Sequence, residues 1–490
     1  MLEHLLAGFS NLSQPTALLV LVAGVFIGYF VGAMPGINAA LGLSLLMPFT
    51  FGMDPVIAII FLSSTYMASE YGGAITAILI NTPGSASSAP TALDGYPLAL
   101  QGKAGKALGV SIIASGFGNF IGSLLLLLAA VPVASFALKF GAPEYFALAF
   151  FGLSVVSSIS SGSAVKGWTG AIFGLFITCI GLDRIDGIPR FVPHWIFLGG
   201  IPFVPMVVGL FAISEVMVMF EKKKTDEVVF KANVSDLPNA SELKTCVVPG
   251  LQGTIIGYVV GVIPAVGLSV AAWLSYDFTK RRSKNPEMFG KGSLEGIAAC
   301  EASNNAAVAG AMVPTLTLGV PGTPASAILI AALMIQGLQP GPLLFTRNPE
   351  IPYAIFATFL VSGPIMTIFG LFCAKFFAKV TLIPRGVLAS FVLCICFLGT
   401  FALDSNMFNV WIAFAFGLVG YVMKKFDFPV APVVLAMVLG PILEFNFRLA
   451  LLMSGGSFMI FLTRPISLVI LLLALFSFVV PLVRNRARAK

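Results

Sequence analysis

Two short stretches hold the residues whose types and spacing can do chemistry. The first is Asn81-Thr82-Pro83-Gly84-Ser85-Ala86-Ser87-Ser88, at the end of an apolar run from Ala74. The second is Gly319-Val320-Pro321-Gly322-Thr323-Pro324-Ala325-Ser326. Each carries an apolar helix-like segment into a Pro-Gly pair and restarts it with small hydroxyl residues. Proline removes an amide donor and glycine frees the backbone, so a helix interrupted there leaves amides and carbonyls to be satisfied. Amides at a helix start attract anions, and unwound carbonyls with Asn or Thr oxygens suit a small hard cation. The chemistry predicted is therefore non-covalent binding of a carboxylate beside a cation. Ser85, Ser87 and Ser88, and Thr323 with Ser326, are expected to cap the restarting helices, and Asn81 and Thr82 to supply oxygen ligands.

Further polar residues lie in apolar surroundings. Glu70 and Glu301 each precede one of the breaks, and Asn304 and Asn305 follow Glu301. A second pair of interruptions stands at Pro35-Gly36, followed by Asn38, and at Pro264-Ala265, followed by Ser269. An ionisable group at membrane depth is expensive and is a functional candidate by default, with pairing to a neighbouring helix as its structural alternative. The substrate candidates are thus Asn38, Asn81, Thr82, Pro83, Gly84, Ser85, Ser87, Val320, Pro321, Gly322 and Thr323. The cation candidates are Gly36, Asn38, Asn81, Ser269, Asn304, Asn305 and Gly319, with sodium at the two breaks. Small residues and prolines also serve close helix packing. Matched breaks in two halves of one chain favour the site. Neither break contains Lys or Arg, so an anion there depends on helix termini, hydroxyls, amides and a co-bound cation.

The elements that position these residues are membrane helices. Of 490 residues 58% are hydrophobic and 10% charged, with a mean hydropathy of +0.99. Soluble domains carry about 25% charged residues. Apolar runs near the ~20 residues of a helical crossing recur along the chain, without the alternating strands of a barrel. The class is an all-α polytopic membrane protein. Crossings are expected near 108–136, 146–160, 169–182, 204–220, 355–377, 387–401, 410–423, 430–443 and 466–483, with 188–202 and 445–465 along the interface. The first residues lack a basic region and cleavage site, which predicts no cleaved leader. The net charge of +7 sits in short loops, where it sets orientation and predicts no nucleic-acid partner. The six cysteines lie mostly in apolar runs and read as small hydrophobes. No HExxH or Walker loop is present, so neither an enzyme nor ATP-driven pumping is predicted, and no organic cofactor.

An internal repeat orders the rest. Val-Gly-Ala-Met-Pro-Gly from Val31 is echoed by Val-Gly-Val-Ile-Pro-Ala from Val260, and Pro83-Gly84 by Pro321-Gly322. Equivalent loops differ in charge: 51–55 has no basic residue, whereas its counterpart 279–291 is strongly basic. The two halves are therefore expected in inverted topology. Residues 1–220 form the first repeat, with a re-entrant helical hairpin over about 74–100. A cytoplasmic linker covers 221–245. The second repeat spans 246–444, with a hairpin over about 316–338, and 445–490 hold an interfacial segment, the last crossing and a basic cytoplasmic tail.

The sequence resembles the large membrane subunit of the tripartite tricarboxylate transporters. The resemblance rests on the run from Ser69 through Ile80 to Ser88, the run from Asp94 to Gly109, Gly319 to Ala327, and Ile335 to Phe345, and it covers nearly the whole chain. It implies a bacterial inner-membrane permease that works with a small membrane subunit and a periplasmic solute-binding protein, importing carboxylates such as citrate on a sodium or proton gradient. The family is similar to a wider group of anion transporters with inverted repeats, re-entrant hairpins and elevator-type motion. Carried onto this chain, Asn81 to Ser85 and Gly319 to Thr323 become the substrate and cation site. Ala265 departs from the first-half Gly36. The alternative is a carboxylate channel or membrane receptor of the same fold, and homo-oligomers are allowed.

Overall fold

The computed structural model describes residues 2–34, 37–159, 164–221, 236–264, 266–380 and 383–488. Gly36 and Ala265, and the linker over 222–235, lie outside them. The helices are α1 (Leu2–Leu12), α2 (Pro15–Gly32), α3 (Ala39–Leu46), α4 (Pro55–Ile80), α5 (Ala89–Leu100), α6 (Ala104–Ala137), α7 (Ala142–Ile159), α8 (Ala164–Thr178) and α9 (Phe203–Glu221). They continue with α10 (Ala240–Val262), α11 (Leu268–Arg282), α12 (Leu294–Leu318), α13 (Pro324–Ile335), α14 (Pro342–Arg347), α15 (Glu350–Val380), α16 (Arg385–Ala402), α17 (Met407–Lys425), α18 (Ala431–Met453), α19 (Ile460–Thr463) and α20 (Pro465–Arg488). Among the described residues, seven helices are long and apolar enough to cross a membrane. The one sheet among them is a two-residue pairing of Gly181–Leu182 with Pro189–Arg190.

Local signals start the helices where the sequence offers them. Asp54 caps α4, accepting from the amides of Val56 and Ile57, with Pro55 in the first turn. Asn239 and Glu242 form a capping box on α10, and Ser293 caps α12.

Two glycine stripes bring crossings into backbone contact. Gly24, Gly28 and Gly32 of α2 face α4, and a Cβ on Gly32 would stand 2.2 Å from the Ser69 carbonyl oxygen. Gly253, Gly257 and Gly261 of α10 face α12, where a Cβ on Gly257 would stand 2.1 Å from the Ser303 carbonyl oxygen. Small residues four apart let helices approach this closely when lipid supplies no hydrophobic drive. The long helix following each break then packs on the other half, α6 against α12 and α15 against α4. The order α2 to α6, with lengths 18, 8, 26, 12 and 34, is followed by α10 to α13 and α15 with 23, 15, 25, 12 and 31. A separate group of α7, α8, α18 and α20 packs beside this core, with α9, α16 and α17 packed together.

The breaks differ from the hairpins expected over 74–100 and 316–338. Gly84 N–H donates to the Gly73 carbonyl (3.2 Å), so the chain folds back alongside α4. α5 then runs on in the direction of α4, because both lie antiparallel to α12. Glu70 lies beside Asn304, while along α5 Thr91 meets Glu301 and Gln101 meets Lys291. The second break does the same: Gly322 N–H meets Thr315 Oγ1 (3.3 Å), and Gln336, after α13, reaches the Thr50 carbonyl near the start of α4. At each break the chain doubles back and then resumes the direction of its first arm. Residue 245 falls inside α10 and 444 inside α18, which runs on to Met453. Arg448 of that extension is drawn into ion pairs with Asp183 and Asp186.

Candidate functional site

Both first arms stop in the same way. α4 ends on Asn81 and α12 on Gly319, each left-handed at φ 52° and 70°. The amides of Asn81 and Thr82 turn back to the Thr76 carbonyl, and those of Gly319 and Val320 to Pro314. A left-handed residue closes the last turn by such bonds, and Gly or Asn adopts it at least cost. Gly84 and Gly322 are glycine for a different reason. A Cβ on Gly84 would lie 2.6 Å from the Gly32 carbonyl oxygen, and one on Gly322 2.7 Å from the Ala311 Cβ.

The restarts diverge. Thr323 caps α13 as predicted: its hydroxyl accepts from Ser326 N–H (3.0 Å), and Ser326 Oγ accepts from Thr323 N–H (2.9 Å). Ser85 does not cap α5. The chain restarts there as a 3₁₀ turn, Ala86–Ser88, in which the Ser88 amide bonds the Ser85 carbonyl and not its hydroxyl. The Ser85 hydroxyl instead meets those of Ser87 (2.7 Å) and Ser88 (2.9 Å), and Ser87 donates to Glu70 Oε2 (3.0 Å).

The two breaks are joined by hydroxyls and carboxylates. Tyr66 of α4 and Thr323 share a buried hydrogen bond of 2.8 Å. Glu70 and Glu301 are 5% and 0% exposed. Glu301 accepts from Thr91 of α5 (2.6 Å) and Ser115 of α6 (2.9 Å), and Asn304 donates to the Glu70 carbonyl (3.4 Å). Among the described residues no cationic side chain pairs with either glutamate. Asn304 and Asn305 are fully buried, and each keeps an amide oxygen with no partner there. Hydroxyls that donate or accept, buried carboxyls and unmatched amide oxygens can hold a proton, a small cation or a polar solute.

Not every candidate meets this cluster. Asn38 is exposed and caps α3, accepting from Leu41 N–H (2.9 Å), and Ser269 sits half-buried in the first turn of α11 behind Gly267. Among the described residues neither bonds to a break. Thr82 bonds its own segment through the Ile80 carbonyl, Pro83 is half-buried, and Asn81 is exposed. Pro321 is buried, and Val320 packs with Leu153 and Leu439 against the neighbouring group. Sequence reasoning missed Tyr66, Thr91 and Ser115. Their polarity inside apolar runs was the available signal.

Seven helices among the described residues, long and apolar enough to cross a membrane and enclosing a buried polar cluster, mark a multi-pass membrane protein. A sequence model of the tripartite tricarboxylate transporter TctA family matches residues 18–435, and the chain belongs to that family. It is 36% identical over 483 residues, 98% of this chain and 96% of the other, to an uncharacterized 52.8 kDa protein in the TAR-I ttuC' 3' region of Agrobacterium vitis. An uncharacterized protein in the TAR-II ttuC' 3' region of the same organism is 35% identical over 211 residues, 43% of this chain and 87% of that one. Membership makes the chain one component of a tripartite tricarboxylate transporter, whose other subunits include a binding protein.

Proposed function

We propose that this chain is the permease of a secondary active carboxylate importer in a bacterial inner membrane, its C-terminus cytoplasmic. A periplasmic solute-binding protein delivers citrate or a related organic acid, a small membrane subunit completes the complex, and a sodium or proton gradient drives uptake. The observation that carries this reading is the Tyr66–Thr323 bond within a buried cluster fed by both breaks. The starts of α5 and α13 converge on it from opposite directions, so their amide ends favour a carboxylate from both sides. Inverted repeats are supported by the matched helix lengths, the twin glycine stripes and the exchanged packing of α6 and α15. In an elevator-type cycle the unit carrying both breaks shifts against α7, α8 and α18. Ser85, Ser87 and Thr323 hold substrate, and Asn304, Asn305 and the buried glutamates serve the coupling cation.

The test is uptake by proteoliposomes holding both membrane subunits, with binding protein outside and a sodium or proton gradient imposed. Gradient-dependent accumulation of citrate or another carboxylate is expected, with loss in Ser85→Trp and Thr323→Trp. Flux that ignores both gradients would sink the reading in favour of a channel.

A further inference from the structure

A cavity of about 520 Å³ lies between α13, α18 and the segment after α8, away from the buried cluster. Sites for small ligands span about 300–1,000 Å³. Its wall holds Arg184, Arg190 and Arg448 with Asp183 and Glu444, and Asp186 beside it pairs with Arg448, so the charges balance around it. Arg448 bonds Asp183 at 2.5 Å and also pairs with Asp186, while Arg190 pairs with Glu444 and stands 3.3 Å from Asp183. Backbone amides of Asp186 and Ile185, then Arg448, hold the Asp183 carboxyl down at about 2, so this wall stays charged at neutral pH. Arg184 is exposed and has no ion-pair partner among the described residues.

The position of the cavity gives this charge a use. Met334 and Ile335 of α13 and Met437 and Val438 of α18 line it, while the adjacent Ala436 and Leu439 of α18 pack with Val320 of the second break. The same stretch of α18 thus faces the cavity on one side and, on the other, a break that has no cation of its own. A guanidinium without an acidic partner offers a planar fork matched to a carboxylate, and among the described residues of this wall Arg184 is the one.

We propose that this cavity is a second anion site, a vestibule that holds the carboxylate before it reaches the breaks, with Arg184 as the group that recruits it. The proposal rests on the importer reading. It also supplies the attraction that the breaks lack, since an anion there would otherwise be held only by dipoles and a co-bound ion.

Labelled citrate is the probe, titrated against the purified chain in lipid nanodiscs. Ser85→Trp fills the first break, and Thr323→Trp fills the second as an independent block. Each blocked chain, with thermal unfolding like the parent's, retains one class of citrate binding. Adding Arg184→Glu raises its half-saturation about tenfold, and salt weakens what remains. Blocked chains that bind no citrate, or an Arg184→Glu change that leaves half-saturation where it was, overturn the vestibule while uptake by the parent stands. A parent that binds no citrate and accumulates neither citrate nor another carboxylate overturns the importer reading and the vestibule together.

Discussion

The Tyr66–Thr323 hydrogen bond ties the two breaks, and its worth can be isolated. Tyr66→Phe removes one buried neutral bond of 2.8 Å and leaves Thr323 free to keep its cap on α13. A net loss of about 1 kcal/mol follows. Thr323→Ala removes the same bond and also the cap, worth about another 1 kcal/mol, so about 2 in all. In the double variant the shared bond is lost only once. The double therefore costs about 2 kcal/mol rather than about 3, a coupling near 1 kcal/mol. Reversible unfolding in mixed detergent micelles measures all three, and Thr323→Ser should match the parent. Strict additivity within about 0.3 kcal/mol would refute a direct bond between the breaks, and with it the claim that one cluster serves both.

Three further outcomes follow from the packing. Asp94 accepts from the amides of Gly290, Gly292 and Ser293 and from the Tyr276 hydroxyl. Asp94→Ala should therefore cost about 3 kcal/mol or more and expose 283–293 to protease, whereas Asp94→Asn, which keeps one oxygen for the amides, loses about half as much. Gly257→Ala should disrupt the α10–α12 contact and cut the yield of folded protein. Gly250→Ala, where a Cβ meets nothing within 4 Å, should be neutral or raise stability by up to about 1 kcal/mol in the same unfolding measurement. Glu301→Gln, which still offers an oxygen to Thr91, should fold within about 1 kcal/mol of the parent. Glu301→Leu strands the hydroxyls of Thr91 and Ser115 and should lose about 2–4 kcal/mol, and equal stability of the two variants would count against those bonds.

Much of the candidate site was legible because its signals are local. Pro83-Gly84 and Pro321-Gly322 mark backbone that cannot continue as helix, and Thr323 with Ser326 carries its cap in its own spacing. The glycine stripes 24-28-32 and 253-257-261 were equally readable and add a periodic signal to the repeat. The path after each break was not readable. Whether the chain turns away or doubles back depends on Gly84 finding Gly73, and on Gly322 finding the turn at Ala311 and Thr315, contacts set by packing rather than composition. The partners of Glu301 are 210 and 186 positions away, beyond any local pattern. The course of α18 through Arg448 was hidden likewise, because its compensating acids lie in a distant loop.

The seats of Gly84 and Gly322 divide labour between the breaks. Gly84 is wedged between two crossings, against Gly32 of α2 and Gly73 of α4, whereas the close neighbour of Gly322 is Ala311 of its own α12. In mechanical terms the first break is held as a wedge and the second as a tether, drawn to α4 by the Tyr66 hydroxyl on Thr323 and to α18 by Val320 on Leu439. A wedge yields only when the α2–α4 pair parts, whereas a tether can be cut by one side chain.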